Sequence, residues 1–118
     1  MPITVSPRPG GECTVVELSG EFDLDTADTL RDELIAAVHQ HGGHLVLDLS
    51  AVDFIDSTTL SAFLQTEERT KQAGCTLRLA GLQRGPAKVL RVSGLDQHFA
   101  VFTSVDEALG APVPPVAG

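Results

Sequence analysis

An aspartate followed by three consecutive hydroxyl residues stands in the segment 54–60, whose sequence is FIDSTTL. The preceding segment 45–49 alternates apolar and polar residues, so a strand is predicted to deliver these hydroxyls to the start of a helix. The first backbone N–H groups of a helix have no partner within it and favour an anion nearby. A hydroxyl at this point could therefore carry a phosphate. Taken alone, however, the segment is equally typical of an ordinary helix N-cap.

Composition and charge exclude several classes of function. The chain has 118 residues, 42% of them hydrophobic and 20% charged, which is typical of one globular domain. Its net charge of -8 repels phosphate backbones, and it has no Trp or Tyr on which bases could stack. It also lacks a secretory signal and any apolar run of the roughly 20 residues that cross a bilayer. We expect a cytoplasmic protein that binds neither nucleic acid nor membrane.

Catalytic motifs are absent from the sequence. There is no GxSxG, no Walker loop and no GxGxxG after a strand, so we expect no enzyme and no cofactor. A phospho-aspartate receiver domain of this length could use Asp53 or Asp56 as its acceptor. That alternative needs an acidic pair after the first strand, a late lysine and strands buried on both faces, and none of these is predicted here.

The histidines and cysteines give no clear site. His39, His41 and His44 lie close together, but their position at a helix end favours exposure to solvent over a metal site. Cys13 and Cys75 fall in segments predicted to be buried strands. Without CxxC spacing or an export signal, they are expected to be free core thiols.

Hydrophobic periodicity predicts the element order β-β-α-β-α-β-α-β-α. Strands are expected near 3–5, 14–18, 45–49, 75–80 and 100–102, and the first two helices over about 26–39 and 58–73. A third helix follows Gly85, with Pro86 at its first position and Gly94 just past its end. A capping box over 104–107 opens the last, short helix. Gly10-Gly11 is expected to form the first turn and Gly42-Gly43 to end the first helix, while 111–118 forms a flexible proline-rich tail after a domain spanning 1–110.

Alternation within the strands predicts how the sheet is covered. Leu45, Leu47 and Leu49 share one face and Asp48 lies on the other; Arg78 is likewise opposite its apolar neighbours. This pattern is typical of a sheet with one covered face and one partly solvated face. On the second helix, a buried stripe and a solvated surface are predicted. The stripe consists of Leu60, Phe63 and Leu64, and the surface of Glu67, Glu68, Arg69 and Lys71.

Four motifs in this order and spacing resemble the STAS family, specifically its stand-alone bacterial anti-sigma-factor antagonists. They are GEFD at 20–23, LDLS at 47–50, VDFIDSTTL at 52–60 and VSGL at 92–95, and the similarity spans about 3–109. The resemblance implies the STAS fold: an α/β (α+β-like) domain with a mixed sheet of four to five strands and helices packed mainly on one face.

The resemblance also implies a function. In these antagonists the Ser or Thr after the motif's Asp accepts a phosphate, which here is Ser57. The partner is an anti-sigma factor that is also a serine kinase; the unphosphorylated antagonist binds it and frees a sigma factor, and a phosphoserine phosphatase resets the cycle. Around Ser57, the partner-binding surface would comprise Asp23, Asp56, Thr58, Thr59 and Leu60. The antagonist itself would be a monomer or weak dimer.

One residue departs from the family pattern. Thr59 stands where the family commonly has glycine, and it is expected to add a β-branched side chain and a further modifiable hydroxyl to the surface that meets the partner. An alternative within the family is a constitutive adaptor subunit of a lipid or anion transport complex, which needs no phosphorylation.

Overall fold

The computed structural model describes residues 3–7, 13–41 and 44–111, without the side chains of 3–7, 21 and 41. The expected Gly10-Gly11 turn, the helix end at Gly42-Gly43 and nearly all of the proline-rich tail lie outside the described residues. Within them, the predicted element order is confirmed. The elements are β1 (Ile3–Pro7), β2 (Cys13–Glu21), α1 (Leu24–His41), β3 (His44–Phe54), α2 (Ser57–Gln72), β4 (Leu77–Ala80), α3 (Arg84–Ser93), a 3-10 turn (Leu95–Gln97), β5 (Ala100–Phe102) and α4 (Val105–Gly110).

The five strands form one mixed sheet in the order β1-β2-β3-β4-β5. β1 runs antiparallel to β2, and the other neighbours are parallel. Because parallel strands end at the same edge, the carboxyl ends of β2 and β3 lie side by side, with Glu21 paired to Phe54. The segments that follow, one leading into α1 and the other into α2, are therefore neighbours.

The main core lies between one face of the sheet and the helices α1, α2 and α3. Its central strand residues are Leu45, Leu47 and Leu49, all without exposed surface, as the alternation predicted. Phe63 of α2 packs edge-to-face against Phe99, with ring centroids 6.5 Å apart. The mixed sheet and its principal covered face confirm the predicted fold class.

The opposite face of the sheet is more covered than alternation suggested. α4 packs over one end of it, so that Ala108 joins a second apolar cluster with Val15 and Val46. Arg78, predicted on the partly solvated face, is buried because its guanidinium donates to the Ala108 carbonyl of α4 and stacks over the Phe102 ring. Asp48, predicted on this face, is half-buried, and the nearby Glu17 and Ser50 are exposed.

Two charged or titratable residues expected at the surface are buried instead. Glu67 is only 8% exposed, because its carboxylate contacts His98 and lies 3.6 Å from the Lys71 amine. His44 is not at an exposed helix end: it begins β3, and its Nδ1 accepts a hydrogen bond of 3.0 Å from the Thr76 amide. Distant partners therefore satisfy both polar groups.

Smaller differences concern the helix start and the cysteines. α3 begins at Arg84, so Pro86 is its third residue and not its first, still within the turn whose N–H groups need no helical partner. Gly94 ends α3 as predicted, in the left-handed conformation at φ +80°. Cys13 and Cys75 are both free; Cys13 is buried, whereas Cys75 precedes β4 and is only half-buried.

Candidate functional site

The entrance of α2 is organised by the carboxylate of Asp56. Its backbone is extended, and its Oδ1 accepts hydrogen bonds from the amides of Thr58 (3.0 Å) and Thr59 (3.1 Å), which confirms the predicted N-cap. The same oxygen accepts from the Thr58 hydroxyl at 2.5 Å and lies 3.3 Å from the Thr59 hydroxyl. The Thr58 hydroxyl, together with the two amides, lowers the pKa of Asp56 despite partial burial. The carboxylate is therefore held ionised at the helix entrance.

The three hydroxyls after Asp56 occupy three different environments. Thr58 is half-buried and engaged with Asp56, while Thr59 has no exposed surface and donates to the Phe22 carbonyl at 3.1 Å. Ser57, the first residue of α2, is exposed, and its hydroxyl has no hydrogen-bond partner among the described residues. Of the three side chains, only that of Ser57 is both exposed and without a hydrogen bond to the described residues.

The position of Thr59 corrects the sequence expectation. Its side chain points into the protein, so it neither covers the outer surface of the helix entrance nor offers a modifiable hydroxyl. Thr59 occupies the third position of α2, and this position faces inward, toward Phe22 in the segment after β2. As a member of the predicted partner surface, Thr59 can act only from beneath it.

An apolar groove of about 320 Å³ runs beside Ser57, between α2 and α3. Leu60 forms part of its wall with only 4% of its surface exposed, whereas Val92 is 77% exposed. The full lining consists of Ser57, Leu60, Lys88, Val89, Val92 and Ser93. The contribution of α3 was missed from sequence, although Val89 and Val92 stand three residues apart on a predicted helix, a spacing that signals a shared face.

Asp23 lies in the neighbouring segment and caps α1. Its Oδ1 accepts from the amides of Asp25 (3.0 Å) and Thr26 (3.3 Å), and its own amide donates to the Thr26 hydroxyl at 2.9 Å. The side chain is nevertheless exposed, next to Leu24, which is 73% exposed. The structure thus brings the Asp23 and Ser57 segments together at the carboxyl ends of β2 and β3.

Most of the exposed large apolar side chains lie near the carboxyl ends of β2 and β3. Among the described residues, four large apolar side chains are exposed: Leu24, Phe54, Val92 and Val101. Leu24 begins α1, Phe54 ends β3 just before Asp56, and Val92 lines the groove beside Ser57. Contiguous exposed apolar surface is typical of a protein-binding site, and the groove beside Ser57 provides such a surface between α2 and α3.

Other kinds of site receive no support from the described residues. They contain no group of three His, Cys, Asp or Glu side chains that could hold a metal ion. None of their helices is both long enough and apolar enough to cross a membrane.

Comparison with known proteins matches nearly the whole chain. The family model described as "Mlab, STAS domain" matches residues 5–105. The anti-sigma-F factor antagonist RsfB of Mycobacterium tuberculosis is 31% identical over 109 residues, which are 91% of this chain and 87% of that protein. A crystal structure of an anti-sigma factor antagonist from Mycobacterium paratuberculosis has a TM-score of 0.80 at 29% identity, covering 92% of this chain and 90% of the other.

A protein of another kind shares the fold. A sulfate transporter family protein from Wolinella succinogenes has a TM-score of 0.71 at 25% identity, covering 90% of this chain and 86% of that one. Its similarity is weaker than that of the mycobacterial antagonists. The family-model match and the identity to RsfB, each spanning most of the sequence, show that this chain belongs to the STAS domain family.

Proposed function

We propose that this domain is an anti-sigma-factor antagonist controlled by phosphorylation of Ser57. The names of its relatives support the antagonist role. In this proposal the unphosphorylated domain binds, in the cytoplasm, an anti-sigma factor that is also a serine kinase. Phosphorylation of Ser57 ends that binding, and a phosphoserine phosphatase restores it. The domain is then a substrate of the kinase and not itself a catalyst.

The observation that carries the proposal is the environment of the Ser57 hydroxyl. It is exposed and unengaged among the described residues, while Thr58 and Thr59 are occupied by Asp56 and Phe22. A kinase must reach its acceptor oxygen and remove the proton from it, so an accessible and unbonded hydroxyl is the suitable substrate. This supports a single phosphorylation site at Ser57.

A phosphate on Ser57 should leave the fold intact. The first turn of α2 favours an anion by about 0.3–1 kcal/mol, because its N–H groups point toward it. For each negative charge of the phosphate, the ionised Asp56 carboxylate opposes this by about 1 kcal/mol if the charges are 4 Å apart in water. The two effects nearly cancel, so both forms of the domain should remain folded.

The same phosphate should strongly oppose binding. The partner would cover the apolar groove formed by Leu60, Val89 and Val92, and a dianion at its rim would have to lose water against apolar surface. A penalty of about 3–4 kcal/mol weakens binding several-hundred-fold, since each 1.4 kcal/mol is a factor of ten. The switch would thus act through surface charge, without a conformational change. Large backbone differences between the two forms by NMR would contradict it.

The test is a native-lysate pull-down that compares Ser57→Ala with Ser57→Asp and identifies captured proteins by mass spectrometry. Gln72→Glu in the Ser57→Ala background is the matched control, because it adds one negative charge at the exposed far end of the same helix. We expect Ser57→Ala, with or without Gln72→Glu, to retain a histidine-kinase-like ATPase and Ser57→Asp to lose it.

The alternative function is a constitutive adaptor for a lipid or anion transport complex. The similarity to the sulfate transporter family protein is the observation in its favour. Equal recovery of a transport protein by Ser57→Ala and Ser57→Asp would support the adaptor and leave Ser57 as a helix residue with no switching role.

A further inference from the structure

Both backbone polar groups of Phe22 are hydrogen-bonded to the segment 54–59, which ends β3 and begins α2. Its amide donates to the Phe54 carbonyl at 3.3 Å, and its carbonyl accepts from the Thr59 hydroxyl at 3.1 Å. Phe22 is fully buried and immediately precedes Asp23. The amide and the carbonyl of Phe22 therefore both hold the segment that carries Asp23 against the segment that carries Ser57.

Of these two hydrogen bonds, only the one donated by the Thr59 hydroxyl can be removed by substituting a side chain. The Phe54 contact is between backbone atoms and survives most substitutions. The Thr59 hydroxyl joins residues 37 positions apart and has no exposed surface. Without it, the Phe22 carbonyl would be buried with one partner fewer, which is unfavourable in a protein interior.

We infer that Thr59 is a positioning residue that holds the Asp23 segment against the entrance of α2. The two halves of the proposed partner surface are then presented as one rigid unit, both before and after phosphorylation of Ser57. A surface that is already ordered loses less conformational entropy when a partner binds, which raises affinity. This inference rests on the proposed function for its purpose, but the positioning itself does not depend on it.

Two conservative variants separate the hydroxyl from the bulk of the side chain. Thr59→Val keeps the branched shape and removes the donor, whereas Thr59→Ser keeps the donor and removes the methyl group. Amide hydrogen exchange of the whole domain is measured for the natural protein and both variants. With Thr59→Val, the Phe22 and Asp23 amides should exchange about tenfold faster, as expected for one lost hydrogen bond. Amides in α4, which packs on the opposite face of the sheet from α2, should be unchanged, and Thr59→Ser should keep the protection of the natural protein.

A second readout tests the purpose. For the anti-sigma factor captured by the Ser57→Ala protein, we expect Thr59→Val in that background to bind about tenfold more weakly and Thr59→Ser to bind normally. Undiminished binding by a Thr59→Val protein with a loosened Asp23 segment would overturn the link to partner binding.

The exchange experiment needs no partner, so it decides the positioning role even if the pull-down fails and the proposed function with it. Unchanged protection at Phe22 and Asp23 in Thr59→Val would overturn the inference. So would an equal loss of protection in α4, which would show that the effect is not confined to the Asp23 segment, or an equal loss at Phe22 and Asp23 in Thr59→Ser.

Discussion

Replacing Asp56 by asparagine tests how much the charge at the α2 entrance contributes to stability. Asparagine is as good an N-cap as aspartate and can accept the same amide hydrogen bonds, so the substitution removes mainly the charge. In the structure, Asp56 Oδ1 receives two amides and the Thr58 hydroxyl at 2.5–3.1 Å. Hydrogen bonds to an ionised group are about twice as strong as neutral ones, and a negative charge at a helix start adds 0.3–1 kcal/mol. We expect Asp56→Asn to lower the free energy of unfolding by about 1 kcal/mol at neutral pH, within that range of contributions.

The stabilisation that the Asp56 charge provides should be lost as the pH falls. The pKa of Asp56 is lowered in the folded protein from its ordinary value of 3.8, chiefly by the Thr58 hydroxyl. A carboxylate with a lowered folded-state pKa contributes stability that is fully present above the unfolded value and is lost as the pH falls through the folded value. The difference between the natural protein and Asp56→Asn should therefore be constant from about pH 8 to pH 5 and shrink below about pH 4.

Urea unfolding at several pH values provides the measurement. Subtracting the Asp56→Asn curve from that of the natural protein cancels the other carboxylates, which titrate in both. Asp53→Asn is the matched control, because Asp53 is exposed and its carboxylate makes no hydrogen bond to the described residues. A difference that stays constant or grows on acidification would refute the reasoning, as would an equal effect of Asp53→Asn.

Two further substitutions test contacts that sequence patterns did not reveal. Glu67→Gln should lower the free energy of unfolding by about 1 kcal/mol in urea, because it weakens the contact of the buried Glu67 carboxylate with the exposed His98 ring; the exposed Glu68→Gln should change it by less than about 0.5 kcal/mol. Equal effects of the two would contradict a special role for Glu67. Arg78→Met should speed amide exchange in α4 about tenfold while the β3–β4 ladder stays protected, since the guanidinium donates to an α4 carbonyl. The exposed Arg91→Met is the control, and an unaltered α4 would show that Arg78 does not hold it.

The features that sequence predicted well are those decided within a few residues. The N-cap at Asp56 depends on amides two and three positions later, and the end of α3 depends on Gly94 itself. Apolar alternation in β3 likewise placed Leu47 on the covered face because successive side chains point to opposite faces. The resemblance to the STAS family implied that Asp23 and Ser57 share one surface, and the structure places their segments side by side because the strands before them are parallel and adjacent.

Two of the features that sequence missed depend on partners far along the chain. Glu67 looked solvated because its partner His98 lies 31 residues away, beyond β4 and α3. Arg78 was predicted to be solvated because apolar–polar alternation reports only on its own strand. Its burial comes from the helix α4, which packs over that strand. The polar character of both residues was read correctly; their burial followed from hydrogen bonds that no local pattern encodes.

Sequence alone also does not tell which of the three hydroxyls after Asp56 faces solvent. Successive helical residues are rotated by about 100°, so Ser57, Thr58 and Thr59 must face three different directions whatever surrounds them. Sequence supplies this geometry but not its orientation, which is set by the packing of α2 on the sheet. Once the third position faces Phe22 and the second bonds to Asp56, the first is left facing solvent beside the groove. The two threonines are therefore engaged within the domain, whereas the proposed phosphate on Ser57 would break no hydrogen bond to the described residues.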